Sequence, residues 1–364
     1  MPFVRFIMLV GLCRAPISSL CLLLGALWGP AVVGESLPPG WPGPGTVSFS
    51  GELPCSECAG IRLTVTLRPA HSFGLRETYL AGGDGLDQHL YDQGRWHIDD
   101  GAGQLVLAGG TTDPWRFRIQ SAQQLRLVDG DRPAPHDGGE HSLRRTAEPA
   151  SFDDSFRMRG MYAYMADAGL FEECLSGERF AVAQSGDNAS LERAYLRYRT
   201  EPGEPLLVSL YGHYAMRPKM EGDGQQEMLV VDRFQHLHPG TVCRAVLHAR
   251  PLENTQWRLA DLGGQAVRSD GDHEPPNLVL DAQQRRALGN GSCNRFFGPY
   301  QREGRGLGIG PLATTRRACE TGMDMEQRFL SALNAADGYR ITGDELVLFR
   351  RDLPLARFYA ERLD

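Results

Sequence analysis

The chain has 364 residues, long enough for two or three domains, and its 41% hydrophobic and 23% charged content excludes a disordered polymer and a multi-span membrane protein. Its 43 Gly and 23 Pro suit a turn-rich, mainly β protein better than a helical one. A formal charge of −7 argues against a nucleic-acid-binding surface.

Residues 1–34 read as a signal peptide. Arg5 and Arg14 give a positive end, Ile17 to Val33 is almost wholly apolar, and Ala31 to Gly34 offers small residues for cleavage before Glu35. The run from Leu20 to Trp28 is short for a membrane span, although an uncleaved N-terminal anchor is the alternative, so membrane association is left open. Cys13 follows Leu12 and Cys21 follows Leu20, and neither context suits lipidation. Export to the periplasm or the periphery of the outer membrane is the expectation.

Three β-rich segments follow. Residues 35–147 carry alternating runs such as Ile61 to Leu67, Phe73 to Leu80 and Trp115 to Ile119, with Gly and Asp at the breaks. Such spacing predicts antiparallel strands in a small barrel or sandwich. From Asp131 to Asp154 the composition turns to Pro, Gly, His and charge, and residues 148–155 are taken as a linker. Residues 156–246 combine strand-like stretches with one helical candidate, Ser190 to Tyr198, the pattern of an OB barrel. Residues 252–364 add an amphipathic helix over Met323 to Leu333 amid further β-like runs such as Glu345 to Phe349, an α+β pattern.

Six cysteines lie beyond the leader, two in each segment, which predicts one disulfide per domain: Cys55 with Cys58, Cys174 with Cys243, Cys293 with Cys319. Loop-closure entropy assigns about 4.4 kcal/mol to the second bridge, about 3.5 to the third and about 2 to the first. The two large loops read as structural. The Cys55-Ser56-Glu57-Cys58 pair stabilises least, and it can hold a soft metal, act as a redox couple or staple a turn. A strand pattern, rather than a helix, follows Cys58, which argues against a thioredoxin-like couple.

The stretch Gly51-Glu52-Leu53-Pro54-Cys55-Ser56-Glu57-Cys58-Ala59-Gly60-Ile61, with Arg76-Glu77-Thr78-Tyr79, resembles the N-terminal domain of the NlpE copper-resistance and envelope-stress family. Gly160 to Ala168, Cys174 to Arg179 and Leu191 to Tyr195 resemble that family's C-terminal OB domain. Asn254-Thr255-Gln256-Trp257, Gly291 to Phe296, Gly310 to Arg316 and Met325-Glu326 resemble the META domain of HslJ-like proteins. The resemblance implies a lipocalin-like barrel followed by an OB barrel, on a lipoprotein that signals envelope faults and copper stress to the Cpx sensor kinase. It makes Cys55 and Cys58 the candidate copper site, where soft thiolates would favour Cu(I), and Cys174 and Cys243 a redox-reporting pair. The lack of a clear lipidation cysteine and the added META domain depart from the family pattern.

Further candidates are weighed against plainer readings. Met158, Met161 and Met165 with Met216 and Met220 could form a thioether site for Cu(I), or fill cores. His236 and His238 fall on one strand face, as ligands or as solvated side chains. Asn290 to Arg295 reads as a tight turn with Gly291 at positive φ, or as a ligand site. No hydrolase, zinc-protease or phosphate-loop motif occurs, so no enzyme is expected. The leading function is an exported, non-enzymatic envelope-stress and copper-homeostasis protein. The alternative is a periplasmic carrier that holds a small hydrophobic or cell-wall ligand in the first barrel.

Overall fold

A computed structural model describes residues 41–361 apart from 83–84, 112, 129–140, 220–221, 268–274 and 320. The leader read over residues 1–34, and Met220, lie outside the described residues. The alternating runs of the first segment form β1 (Val47–Leu53), β2 (Gly60–Leu67), β3 (Ser72–Leu80), β4 (Gln88–Asp99), β5 (Gln104–Gly109), β6 (Trp115–Ser121), β7 (Gln124–Leu127) and β8 (Ser142–Arg145). These strands pair in sequence order, and β8 closes the barrel on β1 with Phe49 opposite Arg145. Alternation does the sorting. On β6, Trp115 and Phe117 are buried while Arg116 and Arg118 face out. Phe49, Leu63, Val65, Phe73, Leu105, Phe117, Leu125 and Leu143 fill the interior without measurable exposure.

β8 lies inside the stretch whose composition reads as linker. The residues that follow it are packed as well: the Ala150 N–H donates to Ser48 Oγ (2.9 Å), and Phe152 is buried against Gly74. A side chain at Gly74 would meet the Phe152 ring at 2.5 Å, so the missing Cβ is what admits it.

The second segment contains β9 (Phe156–Met165), β10 (Ala168–Glu173), β11 (Arg179–Gly186), α1 (Asn188–Tyr198), β12 (Leu206–Pro218) and β13 (Gln225–His238). They close in the order β10-β11-β13-β12-β9, with β11 and β13 parallel. Leu191 and Tyr195, one helical turn apart, put the apolar face of α1 on the barrel, where Tyr195 meets Tyr162 edge to face at 5.3 Å.

The third segment contains β14 (Trp257–Leu262), β15 (Gln265–Ala266), β16 (Asn277–Asp281), β17 (Arg286–Asn290), β18 (Arg295–Glu303), β19 (Gly306–Ile309), β20 (Ala313–Thr314), α2 (Met323–Ala335), β21 (Gly338–Thr342), β22 (Glu345–Arg350) and β23 (Leu353–Ala360). The sheet curls until β23 pairs with β14, and α2 packs Phe329 and Leu333 into it beside Phe296 and Phe358.

β22 belongs to two cores. Leu346 and Leu348 point into its own domain, whereas Val347 and Phe349 join the core cluster of the first barrel. The two domains are also tied by the Gly343 N–H donating to the Gly110 carbonyl at 2.7 Å and by a bridge between Thr111 and Thr342.

Candidate functional site

The turn between β1 and β2 carries the first cysteine pair. Leu53 and Ile61 are the last cross-strand partners, which leaves Pro54 to Gly60 to make the reversal. Cys55 and Cys58 are joined by a disulfide, with Cα atoms 5.3 Å apart, and pack half-buried against the barrel core. Ser56 donates both its N–H (3.0 Å) and its hydroxyl (2.8 Å) to one oxygen of Asp352. Glu57 accepts from Arg350 at 2.7 Å and from Arg351 at 2.9 Å. Among the described residues no three His, Cys, Asp or Glu side chains are gathered for a metal, and the soft donors at this turn are the two sulfurs. Once reduced, two thiolates suit a soft ion of low coordination number, which fits Cu(I) better than harder ions.

The second pair, Cys174 and Cys243, is also bonded, from the end of β10 to a 3-10 turn at Cys243–Ala245. It packs with Leu207, Val246 and Met161. The Cys174 N–H donates to the Arg159 carbonyl, and beside it the buried Glu173 carboxylate accepts from the Ser176 N–H and hydroxyl and from the Leu175 N–H. Burial raises the Glu173 pKa despite these bonds. Next to this bridge, Arg157 and Arg159 each place a guanidinium nitrogen 2.6 Å from the same Asp344 oxygen, beside a cavity of about 70 Å³. Burial alone would lower the Arg157 pKa, but Asp344 together with Tyr359 and Tyr211 raises it above its ordinary value. Arg159 is pushed down to about 9 by burial and by the neighbouring Arg157. Arg159 Nε donates to Ser209 Oγ, which hydrogen-bonds His238 at 2.8 Å.

The remaining sequence candidates separate. Met158 is in the OB core, Met161 lies beside the second disulfide, and Met165 and Met216 are exposed. His236 is exposed and His238 half-buried, with rings 6.3 Å apart and both pKa values lowered, first of all by burial. The third disulfide, Cys293 to Cys319, sits in a structural knot. Glu326 on α2 accepts from the Cys293 and Asn294 N–H groups and from the Asn294 side-chain amide, while Asn294 Oδ1 accepts from Thr315 and Arg317. This corrects one detail of the sequence reading: Ser292, not Gly291, holds the positive φ (112°). Gly291 is small for another reason, since a Cβ there would stand 2.8 Å from Glu326 Cγ.

Sequence reasoning missed Asp344, Arg350, Arg351 and Asp352. Their partners lie from 185 (Arg159 to Asp344) to 296 residues earlier, and no local pattern marks such a pairing.

The chain matches the NlpE N-terminal domain over residues 49–136, the NlpE C-terminal OB domain over 153–244 and the META domain over 250–362. It is 29% identical over 199 residues to Lipoprotein NlpE of Escherichia coli K12, covering 55% of this chain and 81% of that protein. Among solved structures, that of the Cpx pathway activator NlpE from E. coli is 28% identical, with a TM-score of 0.26, over 54% of this chain and 98% of the other. A protein from Burkholderia xenovorans, solved by NMR, is 30% identical, with a TM-score of 0.26, over 30% of this chain and 85% of the other. The chain therefore carries the two NlpE domains, the N-terminal barrel and the OB domain, followed by a META domain.

Proposed function

We propose that this chain is an exported, non-enzymatic envelope-stress protein that reads copper or redox state through its cysteine pairs and signals to a Cpx-type sensor kinase. The observation that carries the reading is the Cys55–Cys58 bridge, half-buried on a barrel turn, within a chain similar to a lipoprotein described as a Cpx pathway activator. Its two sulfurs are the donor set that copper would need, with Cu(I) acting as the signal rather than as a resident cofactor. The oxidised pair has no thiolate to offer, so redox state and metal uptake are coupled at this turn. The second bridge sits against the Arg157–Arg159–Asp344 cluster, where the OB and META domains meet, a place from which its opening would be felt by both.

The carrier alternative is weakened by the first barrel's interior, where Phe49, Phe73 and Phe117 fill the space that a ligand would need. A Cpx-responsive reporter in cells challenged with copper tests the proposal. The Cys55→Ser/Cys58→Ser variant is expected to lose the copper response, and the Cys174→Ser/Cys243→Ser variant to respond abnormally to thiol stress. Normal signalling by both variants overturns the sensor reading.

A further inference from the structure

The Cys55–Cys58 turn is held down by another domain. The turn between β22 and β23 reaches across from the META sheet, and Arg350, Arg351 and Asp352 take up both residues that lie between the cysteines. Asp352 is itself buried, at 8% exposure, and as a carboxylate it accepts two charge-assisted hydrogen bonds from the exposed Ser56. The META turn is fixed on its own side: Arg351 adopts a left-handed φ of 53°, and its N–H donates to Asp337 at 2.7 Å. Below it, Val347 and Phe349 are packed into the same barrel core that Cys55 and Cys58 touch. The loop therefore cannot shift without breaking contacts to the META domain.

Two sulfurs joined in a disulfide are closer together than two thiolates that grip one ion, so metal uptake moves the loop. Reduction moves it as well. A dithiol reductant gives up two electrons and two protons; the S–S bond breaks, two cysteine thiols form, and the reductant leaves as its own disulfide. We propose that the META turn Arg350–Asp352 is a lid on the Cys55–Cys58 pair: docked, it holds the pair oxidised and closed; lifted, it exposes the bridge to a dithiol, and the thiolates that reduction forms to Cu(I). This gives the META domain a task within the proposed sensor, and it rests on reading that pair as the redox or metal site.

The test is the rate at which dithiothreitol opens each disulfide in the folded protein, followed by alkylation and peptide mapping. In Asp352→Ala, and separately in Arg350→Ala/Arg351→Ala, Cys55–Cys58 is expected to open about tenfold faster than in the parent, the loss of hydrogen bonds to charged groups. Cys293–Cys319 should open at the parental rate, showing that the META domain is still folded. Should Asp352→Ala speed all the bridges together, the exposed Arg350/Arg351 pair decides. An unchanged Cys55–Cys58 rate in that variant overturns the lid. Cu(I) competition on the reduced proteins separates this from the sensor reading. Faster opening without Cu(I) binding in any variant keeps the lid and removes copper; equal rates with Cu(I) binding remove the lid and keep copper.

Discussion

Asp344 neutralises two buried arginines at once, and its removal would leave both Arg157 and Arg159 without their carboxylate. Breaking a buried pair from one side costs about 3–5 kcal/mol, so Asp344→Ala is expected to lower the urea midpoint by that equivalent. A change below about 1 kcal/mol would mean that water already screens the cluster. His238 makes a second prediction, about pH. Burial first, and then the Arg159 charge, push its pKa from 6.5 down to about 4. The unfolded chain takes up this proton near pH 6.5 and the fold only near 4, so the stability that His238 confers is full above 6.5 and declines as pH falls towards 4. Thermal melts of His238→Asn across that window should show a shallower slope than the parent, whereas equal slopes would remove His238 as the cause. The cysteines were legible in the sequence because their chemistry and spacing are local signals. Asp344 was not, because Thr342-Gly343-Asp344 reads as an ordinary turn until its partners on β9 are in place.

At the level of elements, β22 explains why a run that looked merely apolar matters. Val347, Leu348 and Phe349 follow Leu346 without a polar break, the pattern of a strand covered on both faces, but the pattern does not say what covers it. The second face belongs to the first barrel. Phe349→Ala is therefore expected to cost about 3–5 kcal/mol and to speed amide hydrogen exchange in β1 and β2, far away in sequence. Exchange confined to the META strands would contradict the shared core. Period-two alternation exposed most of the first barrel, and the helical spacing of Phe329, Leu330 and Leu333 marked α2, because each element buries one face. β8 escaped for the opposite reason. It is four residues long, carries Arg144 and Arg145, and follows a Pro- and Gly-rich stretch, so only barrel closure on β1 makes it a strand.

For the whole molecule, the sequence conveyed three β-rich units and a cysteine pair in each, but not how the third unit bears on the first. That relation depends on contacts such as Ser56 to Asp352 and Phe349 to the barrel core, which exist only once two separate sheets have formed. It turns the Cys55–Cys58 turn from a free hairpin loop into a site shared by two domains. The function proposed for the chain stands or falls on what the reduced pair can bind. The most direct measurement is a Cu(I) titration, against a chromophoric competitor, of the reduced parent, the oxidised parent and the Cys55→Ser/Cys58→Ser variant. Only the reduced parent is expected to withdraw copper from the competitor, with the double variant still melting as a folded barrel, since closure of so short a loop contributes only about 2 kcal/mol. Equal copper affinity in the double variant and the reduced parent would contradict the assignment and place the ligands elsewhere.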